Sequence, residues 1–415
     1  MGKVYEDAAV TLVAASGSDA NHGLPGAPGH PNPSKVHPPI TVDGCIVTEE
    51  AVPIDWEIQN SRWANRGWTF QEQFFSRRFL IFSPSQVSFE CRCISFSPRF
   101  GFRGNERKTS LKTLRPAMKS LFSSLHGRNE VYGADSLRRY RALVAEYWPR
   151  LLSMEEDGIN AFAAILVHLK DQWNAELHEP TMTFTAGMPH LIRQHAESPE
   201  PSLKLFVNGL TWYSKHPSRR REGFPSWCWA GWTSPGMQAR LRWSSDDMSP
   251  DDMSPLLLVR NIFFRSSPDI DTSGVQWHQT TTPERVPIAE HDFPNVPEAV
   301  IFDAPVVYPG AVSWPEWREL PSLWGLHRVF WCLADTSLLI RDEFMNHIVN
   351  GEYCLLALIH EEEKRMDGAS SSATFLIVRQ VDQYRHERIG LAQLWGMDAN
   401  EQLNRDSEIK TWELI

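Results

Sequence analysis

The densest group of residues able to do chemistry is Arg66-Gly67-Trp68-Thr69-Phe70-Gln71-Glu72, with Ser76-Arg77-Arg78 just behind it. On a helix, Trp68 and Glu72 are four positions apart and share a face. A carboxylate beside an indole in a partly apolar cleft is desolvated, and desolvation works against its charge. Arg77 and Arg78 supply cations that either pair with that carboxylate or hold an anionic ligand. A plainer reading asks for no chemistry: Glu72 forms an ion pair with Arg77 or Arg78, and Trp68 is core. Both readings fit the residue types.

The elements that must position this segment are legible on either side of it. Asn60-Ser61 predicts the cap of one helix holding Trp63, Trp68, Gln71, Glu72 and Phe75. Phe79-Leu80-Ile81-Phe82 predicts a strand, Ser83-Pro84-Ser85 a turn, and the alternation of Val87, Phe89, Cys91 and Cys93 a return strand. Upstream, residues 4–15 read as the end of a helix running into a strand that is apolar on both faces. Residues 16–39, rich in Gly, Pro, Asn and His, read as a loop. His22, His30 and His37 lie in that loop at spacings that fit no metal knuckle.

Downstream, residues 99–133 are basic and irregular. Asp135 is the predicted cap of a helix lined by Leu137, Tyr140, Val144 and Tyr147, and Pro149 ends it. A second helix carries Ile159, Phe162, Leu166, Leu169 and Trp173 on one side. Phe224-Pro225-Ser226-Trp227-Cys228-Trp229-Ala230-Gly231-Trp232 reads as an extended, tightly packed segment. Asp-Asp-Met-Ser-Pro occurs twice in succession over 246–255, an acidic duplication that reads as a surface loop. Strands are predicted at 256–259, 300–302, 353–359, 374–378 and 411–415, and His360-Glu361-Glu362-Glu363 as an exposed polar turn. The sum is an α+β chain of several units, with a helical middle and a β-rich antiparallel carboxyl-terminal unit.

Composition narrows the function. The chain has 415 residues, 42% hydrophobic and 22% charged, with a formal net charge of −10. That is ordinary for a folded globular chain, and its sign disfavours a protein that binds by neutralising phosphates, so no nucleic-acid partner is expected. No stretch approaches the ~20 apolar residues of a membrane span, and the first residues lack the apolar core of a signal peptide, so a cytoplasmic location is expected. The six cysteines are scattered, Cys91-Arg92-Cys93 is too tight for a zinc knuckle, and no metal is expected. Reduced, mostly buried thiols fit better. The seventeen tryptophans include Trp212, Trp227, Trp229, Trp232 and Trp243 within one short stretch. These five suit a dense aromatic core or, alternatively, a stacking platform for a sugar or nucleotide. No phosphate-binding loop, dinucleotide-binding glycine turn, zinc-protease helix or nucleophile elbow is present.

The front of the chain resembles a known family. Val4-Tyr5, Ala8-Ala9, Thr11-Leu12-Val13-Ala14-Ala15, Gly23-Leu24-Pro25-Gly26, Arg62-Trp63, Arg66 to Glu72, Leu80-Ile81-Phe82 and Phe89-Glu90-Cys91 match, in order and spacing, the later half of the fungal heterokaryon incompatibility (HET) domain. The division this implies is 1–95 for the carboxyl-terminal portion of that domain, 96–235 for a helical and Trp-rich middle, and 236–415 for the β-rich unit. Tyr140 to Leu169 and Phe224 to Trp232 resemble the segments that commonly trail the domain.

The resemblance implies a role in fungal non-self recognition and programmed cell death. It also implies a partial TIR-like (flavodoxin-like) α/β fold, because HET domains are remotely similar to TIR domains. Several of those cleave NAD with a glutamate in a W-C-x-x-E helix. Trp68-Thr69-Phe70-Gln71-Glu72 keeps that spacing, with Thr69 at the cysteine position, and this nominates Glu72 as catalytic and NAD as a substrate rather than a cofactor. A carboxylate near the ribose suits an oxocarbenium-like transition state. From charge and shape, Trp68 is the expected pocket wall and Arg77 or Arg78 the pyrophosphate contact. The family's opening strands have no counterpart before Val4, so a truncated or degenerate member is expected, inactive as it stands. Its open sheet flank then needs a protein partner or self-association. A non-catalytic interaction protein is the alternative function.

Overall fold

The computed structural model describes residues 2–19, 21–25, 27, 29, 40–47, 52–91, 94–97, 101–104, 132–176, 181–192, 200–214, 218–234, 241–243, 256–265, 285–287, 299–307, 328–333, 352–365, 368–395 and 408–415. His30, His37, Cys93, the 246–255 duplication and most of the basic stretch 99–133 lie outside them. Two compact units divide the chain, Met1–Val167 and His168–Ile415. The architecture is mixed α+β, with few helices, several small sheets and a large sheet towards the carboxyl end.

The first unit opens with helix α1 (Gly2–Asp7) and strand β1 (Thr11–Ala14). A hairpin of β2 (Ile40–Val42) and β3 (Cys45–Val47) comes after them. Three short helices succeed it, α2 (Ile54–Gln59), α3 (Arg62–Asn65) and α4 (Thr69–Phe75). Strands β4 (Arg78–Phe82), β5 (Val87–Cys91), β6 (Ile94–Ser97) and β7 (Gly101–Gly104) lead to helix α5 (Tyr132–Tyr147), and α6 (Asn160–Glu176) spans the boundary between the units. Helix α5 starts before Asp135, which lies inside it rather than capping it, while Pro149 stands just past its end as expected.

One five-stranded sheet, in the order β1–β4–β5–β6–β7, organises this unit. β1 and β4 run parallel with Val13 opposite Ile81, and the other pairs are antiparallel. Val13, Ala15, Phe79 and Ile81 form one core with Ile58 and Trp63. The strand expected to be apolar on both faces is covered on one: Val13 is buried, whereas Leu12 is 56% exposed. The predicted alternation on β5 holds, but its buried members are Ser88 and Glu90, which continue the rows of Ile81 and Phe79. On the opposite face the register sets Leu12, Leu80, Phe89 and Phe96 side by side across four strands.

The second unit starts from the hairpin β8 (Thr181–Thr185) and β9 (Met188–Ile192), turned by Ala186 and Gly187 at positive φ, and helix α7 (Glu200–Leu210). Short strands β10 (Trp212–Ser214), β11 (Arg219–Arg220), β12 (Trp232–Thr233) and β13 (Leu241–Trp243) then pair as β10–β13 and β11–β12. Nine further strands share one sheet. They are β14 (Leu256–Leu257), β15 (Arg260–Arg265), β16 (Arg285–Pro287), β17 (Ala299–Val307), β18 (Arg328–Leu333), β19 (Tyr353–Arg365), β20 (Gly368–Gln380), β21 (Arg385–Trp395) and β22 (Glu408–Leu414). β19, β20, β21, β22 and β17 hydrogen-bond in succession and β17 returns to β19, so these five close a ring. Closure removes the open edges that would otherwise invite strand pairing. The pairings are antiparallel except β21 with β22. His360 to Glu363, expected as a turn, lies within β19 opposite Ser370 to Ala373, since a long hairpin carries charged residues on its ladder as readily as a turn does.

All five clustered tryptophans are buried, which selects the aromatic core over a stacking platform. The segment from Phe224 to Trp232 is packed but not extended: it turns at Ser226 and Trp227 and forms one 3-10 turn at Trp229–Gly231. Backbone carbonyls of the segment accept from two indoles, Trp212 Nε1 donating to the Trp227 carbonyl (3.1 Å) and Trp232 Nε1 to the Ser226 carbonyl (2.8 Å). Arg388 is buried among them, its guanidinium 3.8 Å over the Trp212 ring and donating to the Leu210 carbonyl at 2.7 Å and to the Trp212 carbonyl. Burial pushes its pKa down to about 9. The thiols differ from the mostly buried set expected: Cys228 is buried, Cys91 and Cys354 are half-buried and Cys45 is exposed.

Gly231 tests how tight this packing is. A Cβ there would stand 2.3 Å from the Pro225 carbonyl oxygen, which is backbone and cannot swing aside. Gly231→Ala is therefore expected to destabilise the second unit by about 1–3 kcal/mol, the range for overpacking, read as an earlier denaturant midpoint in tryptophan fluorescence.

Candidate functional site

Where one helix was expected to carry Trp63, Trp68 and Glu72, the chain makes two. Ser61 caps the first, its Oγ accepting from the Ala64 N–H at 3.1 Å. Arg66 then turns extended (φ −83°, ψ 137°), and the backbone pairs with Leu151 instead of continuing the helix. The Gly67 N–H donates to the Leu151 carbonyl at 2.7 Å, and the Leu151 N–H to the Asn65 carbonyl at 2.6 Å. A Cβ at Gly67 would meet Leu152 Cδ2 at 2.4 Å, so that side chain would have to move, whereas the Leu151 carbonyl oxygen would stand at 3.5 Å.

Every residue after Gly67 in the motif has an assigned contact. Trp68 Nε1 donates to Asp157 Oδ2 at 3.0 Å. The Thr69 hydroxyl donates to the Trp63 and Arg66 carbonyls (2.5 and 2.7 Å), tying the break between α3 and α4. Phe70 stacks on Phe162 and tilts against Tyr147. Gln71 Nε2 donates to the Asn160 carbonyl at 3.1 Å. Glu72, in the first turn of α4 and half-buried, accepts from Trp63 Nε1 at 3.1 Å. It also accepts from the Tyr5 phenol on α1.

The indole that meets Glu72 is therefore that of Trp63, while Trp68 is spent on Asp157. The arginines expected beside the carboxylate lie elsewhere. Arg77 is exposed and pairs with Glu6 at 3.5 Å, and exposed Arg78 donates to the Ala9 carbonyl at 3.4 Å. Among the described residues, neither bonds to Glu72. A cation whose field reaches Glu72 is Arg150. Its guanidinium sits 4.5 Å over the Phe70 ring and donates to Gln73 Oε1 at 2.6 Å. Loss of solvent pushes Arg150 down to about 10, with Glu146, Tyr147 and Glu72 pulling the other way. An arginine at that value stays cationic near neutrality.

Sequence reasoning missed Arg150 and Tyr5 because their relation to Glu72 is tertiary. The one local signal was that Tyr5 and Trp63, like Glu72, are aromatic or acidic residues in the matched segment. Chemically, the Glu72 carboxylate serves as acceptor for two neutral donors with the Arg150 guanidinium nearby, an arrangement that ties elements of the chain together. Among the described residues, no cluster of three or more His, Cys, Asp or Glu side chains is placed to hold a metal ion, and no helix is long and apolar enough to cross a membrane.

Tyr5 reports on this arrangement. Its pKa is raised by burial first, then by the charge of Glu72 and the hydrogen bond to it. A group whose pKa is higher folded than unfolded contributes stability that is complete below the unfolded value and is lost as pH rises through the folded one. The phenolate absorbance that Tyr5→Phe removes is expected to titrate above the ordinary tyrosine range. In a Glu72→Gln background it should shift downwards, part of the elevation remaining because burial leads.

Residues 1–72 match the model of the family described as Heterokaryon incompatibility protein (HET), a match that ends on Glu72 itself. No curated protein and no solved structure matches the chain. The segment that builds the Glu72 site, from α1 to the first turn of α4, thus lies within the part of the chain that matches the heterokaryon incompatibility family model.

Proposed function

We infer that this chain acts in heterokaryon incompatibility, the fungal non-self response that ends in programmed cell death, and that it acts there by binding a protein partner rather than by cleaving a nucleotide. The observation that carries this is the bracketing of Glu72 by Trp63 Nε1–H and the Tyr5 phenol, with Arg77 and Arg78 engaged elsewhere. A carboxylate held on two sides by its own chain serves as a clamp between α1, α3 and α4. The apolar row Leu12–Leu80–Phe89 on the outer face of the sheet supports the binding side of the reading, because surfaces of that kind favour association.

A second reading is NAD cleavage on a TIR-like sheet, and a specific feature favours it. β1 and β4 are a parallel pair joined through helices, the connection of an α/β sheet, and the joining segment carries Trp68 and Glu72 four apart. In that reading the Glu72 carboxylate would stabilise the developing charge at the ribose.

The two readings separate on Glu72→Gln, which keeps a carbonyl oxygen for Trp63 and Tyr5 but removes the charge. Purified protein incubated with NAD is expected to release no nicotinamide above the buffer blank. When expressed in a filamentous fungal host, wild type is expected to arrest growth and Glu72→Gln to arrest it as well, while Gly67→Val, whose branched side chain crowds Leu152 beside the Leu151 pairing, loses the effect. Nicotinamide release abolished by Glu72→Gln would establish the second reading, and no arrest by wild type would remove the incompatibility role.

A further inference from the structure

The β2–β3 hairpin is the most exposed apolar element among the described residues. Every residue of both strands is exposed, with Ile40 at 58%, Val42 at 50%, Ile46 at 74% and Val47 at 49%. Among the described residues the two strands hydrogen-bond only to each other. A lone two-stranded ribbon is marginally stable in water, and three or more strands are the usual requirement. Its geometry is nonetheless well defined. Asp43 (φ 50°) and Gly44 (φ 80°) both lie in the left-handed region, as a two-residue type I′ turn requires. The register sets Val42 opposite Cys45, Thr41 opposite Ile46 and Ile40 opposite Val47.

That register decides which backbone groups are free for another strand. In a two-residue hairpin the residues flanking the turn exchange hydrogen bonds, so Val42 and Cys45 form a bonded pair. Thr41 and Ile46 are then the non-bonded pair, and their N–H and C=O groups point away from the ribbon. The open edge of β3 consequently presents one donor and one acceptor, both on Ile46, at the centre of three apolar residues.

We propose that this edge pairs with the same edge of a second copy of the chain, joining two hairpins into a four-stranded antiparallel sheet. The edge is its own complement. About a two-fold axis at Ile46, each Ile46 N–H meets the other copy's Ile46 carbonyl with no offset, and Cys45 falls opposite Val47, apolar against apolar. The hairpin's single charged residue is Asp43, in the turn. Antiparallel pairing sends the two turns to opposite ends, so like charges do not meet even though the chain carries a net charge of −10. Three-residue edges bury less than a standard interface, so the dissociation constant belongs in the range of transient dimers, on the order of tens of micromolar. The inference is independent of the role assigned to Glu72.

Sedimentation velocity over about 1–100 μM tests it. The weight-average mass is expected to climb from that of the 47.5 kDa chain towards twice that value. Ile46→Asp, which sets two carboxylates against each other across the two-fold, should hold the protein monomeric. Thr41→Asp, an equal disturbance on the opposite edge, should leave the rise unchanged, separating interface loss from simple loss of the hairpin. In the two-fold register the Cys45 side chains stand diagonally, about 7–8 Å apart. A short bis-maleimide should then link wild type into covalent dimers but not Cys45→Ser or Ile46→Asp. A wild type that stays monomeric throughout, a dimer that survives Ile46→Asp, or one abolished by Thr41→Asp would overturn the proposal.

Discussion

The close approach of Gly67 to Leu151 sets the form of the first unit. Two backbone hydrogen bonds there, from Gly67 to Leu151 and from Leu151 to Asn65, take amides and a carbonyl that would otherwise have continued a helix. The helix divides, and the division turns α4 away from the axis of α3. In one continuous helix Trp63 and Glu72 would lie nine positions and two and a half turns apart, on opposite sides of the axis. With the break at Arg66, the Trp63 indole reaches the Glu72 carboxylate. The same break hands Trp68 to Asp157 and Gln71 to Asn160, fastening the motif to the stretch of chain beyond α5. A side chain at Gly67 would press on Leu152, next to the residue whose backbone holds the break in place.

In both units the tryptophan ring is used as a long-reach donor as well as a filler. Trp63 and Trp68 satisfy carboxylates, while Trp212 and Trp232 satisfy backbone carbonyls of the turn that carries Trp227. The difference comes from burial. A half-buried carboxylate retains some solvent and tolerates one indole N–H, whereas a turn with no access to water must find internal donors for its carbonyls. Arg388 extends this logic to a charge. Its desolvation is offset by two carbonyl acceptors and the face of Trp212, and the depressed pKa records the cost that remains.

Much of this fold is readable from residue order, and the parts that are not share a physical cause. The predicted strands of the carboxyl-terminal half all recur, because alternation and β-branched runs are local signals. Helices α5 and α6 bury Tyr140, Val144, Phe162 and Leu166 at the spacing their periodicity gives. Asp43-Gly44 between the triplets Ile40-Thr41-Val42 and Cys45-Ile46-Val47 is a strong hairpin signal, hidden here by the Gly- and Pro-rich stretch before it. The break after Asn65 had no such signature, since it depends on Leu151, far downstream. Arg150 was illegible for the same reason, lying beyond the Pro149 that closes the preceding helix. A spacing of four can show that two residues share a helical face, but it cannot show which of two nearby indoles the carboxylate will meet.

Charge balance around Glu72 links the fold to the choice of function. Glu72 is surrounded by an indole N–H, a phenol O–H and the field of Arg150. Two uses of such a carboxylate are steadying a cationic transition state and bridging elements of the protein. α1 discriminates between them. It has no buried residues, and it is tied down by the Tyr5 phenol on Glu72 and by Glu6 on Arg77. Giving the Glu72 charge over to a substrate would release one of those ties, so a ligand would have to compete with the helix for the same oxygens. A carboxylate engaged in that way is held primarily by its own fold, and the most direct use of such a site is to keep α1 seated against α4.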